Sequence, residues 1–263
     1  MPNDLIDFWR RVDLSRAPYA HPDDLEALAS KGGKYADMES KDFGSFVAGS
    51  RFGDFKDNRF HLSLLPAPYG GNLAKADIFI LLLNPGFGFA DYHAEYKSAA
   101  FRARAEGNLK QDFDGVEFPF LWLDPEFCWH GGFAWWEKKL RKTITRIAEA
   151  RFNGRYLDAL RNLSRRLAQI ELVPYHSPSF GAHGLIKKLE SSKKAKAFVR
   201  SSLIPAALAG GKTVIVTRRD ADWGTLHPSE HVIVYKGGLT RGASLGPETP
   251  GGKAILRRYG INA

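Results

Sequence analysis

The longest unbroken apolar run in the chain is Ile78 to Leu83. A continuous run, as opposed to an alternating one, is the pattern of a strand covered on both faces. It stops at Asn84-Pro85-Gly86-Phe87-Gly88, where one proline and two glycines impose a tight turn. Three more short runs read as strands: Ile170–Val173, Thr213–Thr217 and His231–Tyr235. Between them, apolar positions recur at helical spacing over Tyr92–Glu106, Trp135–Ala150, Tyr156–Ala168, Ser191–Leu208 and Lys253–Tyr259. The order β–α–α–α–β–α–β–β–α predicts an α/β fold, a three-layer sandwich with a mostly parallel four-stranded central sheet.

Residues 1–70 follow a different pattern. Asp4–Val12 reads as an amphipathic helix, and Pro22-Asp23-Asp24 as a helix start leading into Leu25–Ala29. The stretch 31–60 mixes Gly, Asp, Lys and Phe without a period. The expected organisation is an irregular, partly helical extension over 1–70, packed on an α/β domain over 71–263. The opening residues lack the apolar core of a signal peptide, and Ile78–Leu83 is far too short to cross a bilayer. A cytoplasmic protein without membrane contact is the expectation.

Charge adds a partner class. The chain carries 38 Lys and Arg against 29 Asp and Glu, a formal net charge of +9. That balance favours an anionic partner, nucleic acid first, over a surface that is basic only for solubility. Eighteen Phe, nine Tyr and six Trp supply rings for cores, and rings on which bases stack. The lone cysteine, Cys128, excludes an internal disulfide and a cysteine zinc site. Between Phe127 and Trp129 it reads as a buried thiol. No cofactor is expected, and the chain is expected to be a monomer.

Two apparent motifs fail on context. Gly210-Gly211-Lys212-Thr213 precedes a strand where a phosphate-binding loop would follow one. His227-Pro228-Ser229 lies before the fourth strand, and neither His227 nor His231 has the company a metal site needs.

Ligands of open α/β sheets sit beyond the carboxyl ends of the strands. Three such ends carry unusual residues: Asn84-Pro85-Gly86, Glu171 with Tyr175-His176-Ser177, and the loop Leu239–Leu245. In this order they resemble the uracil-DNA glycosylase superfamily, nearest its mismatch-specific uracil/thymine type, over roughly 70–260. The resemblance implies a DNA glycosylase that hydrolyses the N-glycosidic bond of a flipped-out damaged or modified pyrimidine, without a metal. It implies that Asn84 positions the attacking water, that Glu171 stands where the superfamily reads the base, and that Arg241 and Ser244 stand at its second motif. The family's histidine is missing from that motif, and Arg241 is the substitute. Gly86 stands where strict uracil enzymes place a bulky ring, which leaves room for a 5-substituent.

Each residue also has a plain reading. Asn84 before proline is a common turn residue. Asp91 is either a general base or the cap of the following helix. Gly86 could serve a positive φ alone. Glu171, as a carboxylate, accepts from the exocyclic amine of cytosine or pairs with an arginine at the strand end. With Gly86 it points to a 5-substituted cytosine, and from there to defence against phage with modified DNA. Phe87, Tyr92 and His93 could stack on the base, and His176 could contact base or phosphate or be structural. Lys193 and Lys194, within the basic run from Lys187 to Arg200, either track a DNA backbone or form a solvated face. Two other functions fit the same residues: a non-catalytic nucleic-acid binder, and an enzyme acting on free nucleosides or nucleotides.

Overall fold

The computed structural model of the chain describes residues 3–54, 56–224 and 226–262; the first two residues of the N-terminal reading lie outside these. The strands are β1 (Ala36–Asp37), β2 (Phe60–His61), β3 (Tyr69–Gly70), β4 (Ile78–Leu82), β5 (Leu167–Glu171), β6 (Thr213–Val216) and β7 (Val232–Val234). The helices are α1 (Asn3–Trp9), α2 (Leu25–Gly33), α3 (Phe43–Ala48), α4 (Phe89–Lys97), α5 (Ala99–Lys110), α6 (Gly131–Arg151), α7 (Tyr156–Arg166), α8 (Glu190–Phe198), α9 (Ile204–Leu208), α10 (Asp220–Trp223), α11 (Leu239–Gly242) and α12 (Pro250–Arg258).

The α/β class holds, with one correction to the sheet. It has five strands in the order β3-β5-β4-β6-β7, and β3 runs antiparallel to β5 at the edge. The other four are parallel. Two residues, Tyr69 and Gly70, were too little pattern to mark β3 in the sequence. β1 and β2 form a separate parallel pair.

Successive side chains of the central strands point to opposite faces and bury both. Ile78, Ile80, Leu82, Leu167 and Ile215 pack in one core with the apolar stripes of α6, α7 and α12. Phe79, Leu81, Ala168, Ile170, Val214, Val216 and Val232 pack on the other side, with Leu5, Phe8 and Trp9 of α1 and Ala195 and Phe198 of α8. Helices therefore cover both faces. The N-terminal segment shares this second core, where burying one large apolar side chain contributes about 1.5–3 kcal/mol.

Several boundaries differ from the sequence reading, each for a local reason. The expected helix Tyr92–Glu106 is two helices, because Ser98 accepts from the N–H of Phe101 and starts α5. The second strand begins at Leu167, directly after α7 and not at Ile170. The helix expected over Ser191–Leu208 passes through a π turn at Val199–Leu203. Cys128 is exposed, because it closes the short 3-10 turn Pro125–Phe127 while Phe127 takes the buried position.

β4 is central, with its connection leading to β5 on one side, and β6 and β7 on the other. The crevice at such a reversal, beyond the carboxyl ends of β4 and β6, is where an α/β sheet binds ligands. Thr217 fixes its base, with backbone N–H and Oγ1 both donating to the carbonyl of Leu81.

Candidate functional site

A cavity of about 330 Å³ opens beside this crevice, at the carboxyl ends of β4 and β5, with Arg218 after β6 reaching it. That size lies within the range of small-molecule sites. Leu82 to Gly88 of the β4 exit form one side, Gln169 and Glu171 of β5 the floor, and Trp122, His130, Trp135 and Trp136 the opposite wall. Asp91, His176 and Arg218 complete it.

The β4 and β5 exits are stitched together. Leu172 and Val173 donate backbone N–H groups to the carbonyls of Leu82 and Leu83, and Ser177 to that of Pro85. Asn84 Nδ2 lies 2.9 Å from the Pro85 carbonyl, 2.9 Å from Ser177 Oγ and 3.4 Å from the Tyr175 carbonyl. The Ser177 hydroxyl spends its proton on the carbonyl of Ser179, so toward Asn84 it accepts. These acceptors fix which amide atom is nitrogen. The amide is thereby held with Oδ1 as its remaining acceptor.

Glu171 and Gln169 are each 3% exposed. They lie two residues apart on one face of β5, beside Leu82 and Ile80 of β4. Among the described residues, Glu171 Oε2 and Gln169 Oε1 have no hydrogen-bond partner. Leaving such an atom unpaired costs about 1–3 kcal/mol. Burial pushes the Glu171 carboxyl well above the usual range, against a smaller opposing pull from Arg218. Burial thus favours the protonated form, which donates as well as accepts. The sequence reading gave Glu171 the acceptor-only properties of a carboxylate, and burial works against that charged form.

Gly86 has no positive φ, and a Cβ built there meets nothing within 4 Å. Backbone strain therefore does not require glycine, and open space lies beside it. The Gly86 carbonyl accepts from His176 Nδ1 at 2.8 Å. A carbonyl only accepts, so His176 carries its proton on Nδ1 and leaves Nε2 as an acceptor. Asp91 caps α4, the plain reading given for it, and its other oxygen faces His130. Oδ2 accepts from the Gly88 N–H at 2.5 Å at the start of α4, while Oδ1 lies 3.1 Å from His130 Nε2. His130 Nδ1 accepts from the Gly132 N–H and so begins α6, with its ring stacked near Phe101 and Trp122.

The structure thus brings together Asn84, Gly86, Phe87, Asp91, Glu171 and His176. Tyr92 is a correction: α4 turns it inward against Phe46, with its hydroxyl on Ser63 and His61, away from the cavity. His93 is exposed beside Trp129, outside the cavity lining. Ser244 also lies outside, with Oγ near the Gly246 N–H. Arg241 lines an open groove next to the cavity, and its carbonyl accepts from Arg218 Nη2 at 3.2 Å. Arg218 reaches both spaces. Lys193 and Lys194 are exposed on α8, outside both linings, and Lys193 pairs with Glu190.

Sequence reasoning missed Gln169, Trp122, His130, Trp135 and Arg218. His130 before Gly131-Gly132 is a legible cap, while Gln169 fell between the helix read to Ala168 and the strand read from Ile170. Trp135 of the lining exposes 40% of its surface, with Lys139 over its ring, and Phe89 and Trp129, next in sequence to the lining residues Gly88 and His130, expose 42% and 48%. Among the described residues there is no group of three His, Cys, Asp or Glu able to hold a metal ion, and no helix is long and apolar enough to cross a membrane. Compared with family models, curated proteins and solved structures, the chain shows no match.

Proposed function

We propose that the protein is a monofunctional DNA glycosylase of uracil-DNA glycosylase type, acting on a flipped-out pyrimidine. The observation that supports this reading is the clamped amide of Asn84, whose Oδ1 is left to hold a water beside an aromatic, base-sized cavity. Hydrolysis breaks the bond between the sugar carbon and the base nitrogen. The electron pair leaves with the base, and the water oxygen adds to the carbon. Asn84 orients that water, and Asp91 or His176 Nε2 accepts its proton. Negative charge on the departing base is met by Arg218, which reaches the cavity where the sequence reading had placed Arg241. Positioned groups of this kind act most strongly where water is excluded.

A base must leave the helical stack to enter such a cavity, and stacking walls repay part of that cost. The exposed rings and basic residues at and beside the lining suit the adjoining strand. The space beside Gly86 favours a base with a 5-substituent, cytosine or thymine type, and a role against modified phage DNA is the setting such a substrate suggests.

The test is an abasic-site assay on single- and double-stranded oligonucleotides carrying uracil, mismatched thymine, cytosine and 5-substituted cytosines. We expect excision of at least one base, reduced about 100-fold or more by Asn84→Ala with an unchanged fold, as when a transition-state group is removed. No excision of any base by the folded protein overturns the proposal. Salt-dependent DNA binding without excision would indicate a binder, and turnover of free nucleosides would indicate a small-molecule enzyme.

A further inference from the structure

Gln169 is an odd residue for the middle of a sheet. It sits between β3 and β4 on the interior strand β5, opposite Gly70 and beside Ile80. Glycine weakens a strand, and at an edge it often marks a close approach. A Cβ on Gly70 would stand 3.2 Å from Gln169 Cγ and 3.4 Å from the Phe120 ring. The edge strand thus makes room for this side chain. A buried glutamine that served the fold would have its oxygen on a backbone N–H. Gln169 Oε1 has no partner among the described residues and the side chain lines the cavity.

Two residues on in the strand, Glu171 repeats the arrangement, with Oε2 unpartnered. The step is about 7 Å along the strand, and both side chains point to the same face. Each ends in a planar group: the amide of Gln169 has a donor next to an acceptor, and the carboxyl of Glu171 has the same pair in the protonated form that burial favours. Trp122 and Trp136 line the same cavity. A flat, neutral heterocycle with adjacent N–H and C=O groups, or adjacent N and NH₂ groups, satisfies both tips at once.

We propose that Gln169 is a specificity-determining residue that reads the hydrogen-bonding edge of the base together with Glu171, and that the pair accepts both 4-oxo and 4-amino pyrimidines. The amide can present either atom first, and a neutral acid can do the same, so the reader selects a pyrimidine edge without fixing one exocyclic group. The inference rests on the cavity being a base pocket, and it does not depend on catalysis.

The experiment measures binding of free uracil, thymine and cytosine to the full chain by calorimetry, with thermal unfolding of the same samples. Gln169→Met keeps length and removes polarity. We expect it to weaken every base by tenfold or more and to raise Tm by about 2–4 °C, because an unpaired buried amide is removed. Glu171→Met, which removes donor and acceptor together, should also weaken every base by tenfold or more, and unchanged binding overturns the pairing. A structural glutamine gives the opposite pattern, lower Tm and unchanged binding, and overturns the proposal. So does a parent protein that binds none of the three bases, or one that binds uracil and thymine but excludes cytosine. If the parent binds bases but excises none, the glycosylase reading fails and this one stands. If it excises and Gln169→Met leaves kcat/KM for every base unchanged, this one fails and the glycosylase reading stands.

Discussion

Glu95 lies one helical turn beyond Asp91 on α4 and is buried. Its carboxyl accepts the Leu65 N–H, with Arg102 3.4 Å away, and burial pushes it up to about 8 against these contacts. Nearby Asp91 and Glu106 push in the same direction. In the unfolded chain it titrates near 4.5. Between those two values the unfolded chain has lost a proton that the folded chain keeps, so stability falls as pH rises, by up to about 1.4 kcal/mol per pH unit for one proton. His61 acts on the acid side. Burial holds it down to about 3, with Arg51 and His176 adding to the effect, so its contribution is lost as pH falls below 6.5. Above pH 6.5 the Glu95 slope is no longer opposed by His61. Denaturant titrations between pH 6.5 and 8 should show the parent losing stability and Glu95→Gln losing less; equal slopes would show that Glu95 is charged in the fold. Nothing in the sequence marked Glu95, because its burial depends on a loop that passes over α4 from the N-terminal segment. Asn84, Gly86 and Glu171 were legible because they follow or end strands, and strand ends converge. Gln169 was hidden by Leu167 and Ala168, which continue the apolar spacing of α7.

At the scale of elements, the apolar runs located all four parallel strands and most helices, and missed what short polar signals decide. Ser98 splits one helix by capping the next, and α6 starts at Gly131, four residues before the first apolar position read from the pattern. That start matters, since it places His130 and two glycines in the cavity wall. Gly132 is fixed by packing: a Cβ there would lie 2.5 Å from the Trp122 ring and 3.1 Å from His130 Nδ1. Gly131 faces open space. Replacing each by alanine separates helix propensity from wall geometry. Gly131→Ala should leave stability unchanged or raise it by up to about 1 kcal/mol. Gly132→Ala should lower it by about 1–3 kcal/mol through overpacking, and weaken base binding as Trp122 shifts. Thermal unfolding of the two variants decides this, and equal behaviour would mean that Trp122 is free to move aside. No sequence pattern shows that constraint, because Trp122 and Gly132 meet only across a turn.

For the whole molecule, the question is where the +9 charge acts. The sequence directed attention to the lysines of α8, the densest basic run, but charge density along a chain does not say which face it serves. Lys193 and Lys194 lie outside both the cavity and the adjoining groove, and Lys193 is already paired. The groove carries Arg218, Arg219 and Arg241, with Asp220 and Asp222 among them, and shares Leu83 and Arg218 with the cavity. Arg219 is paired with Asp222, which leaves Arg218 and Arg241 as the cations best placed for a strand whose base enters the cavity. Removing one cation from a phosphate changes the slope of log affinity against log salt by about 0.7 for a single strand and about 0.9 for a duplex. The double variant Arg218→Gln/Arg241→Gln should therefore lower the slope for a single-stranded oligonucleotide by about 1.4. Lys193→Gln/Lys194→Gln removes the same formal charge and should leave the slope close to that of the parent. Fluorescence anisotropy over a salt series measures both. If the lysine pair lowers the slope and the arginine pair does not, the strand crosses α8, and the groove beside Arg218 is not its path.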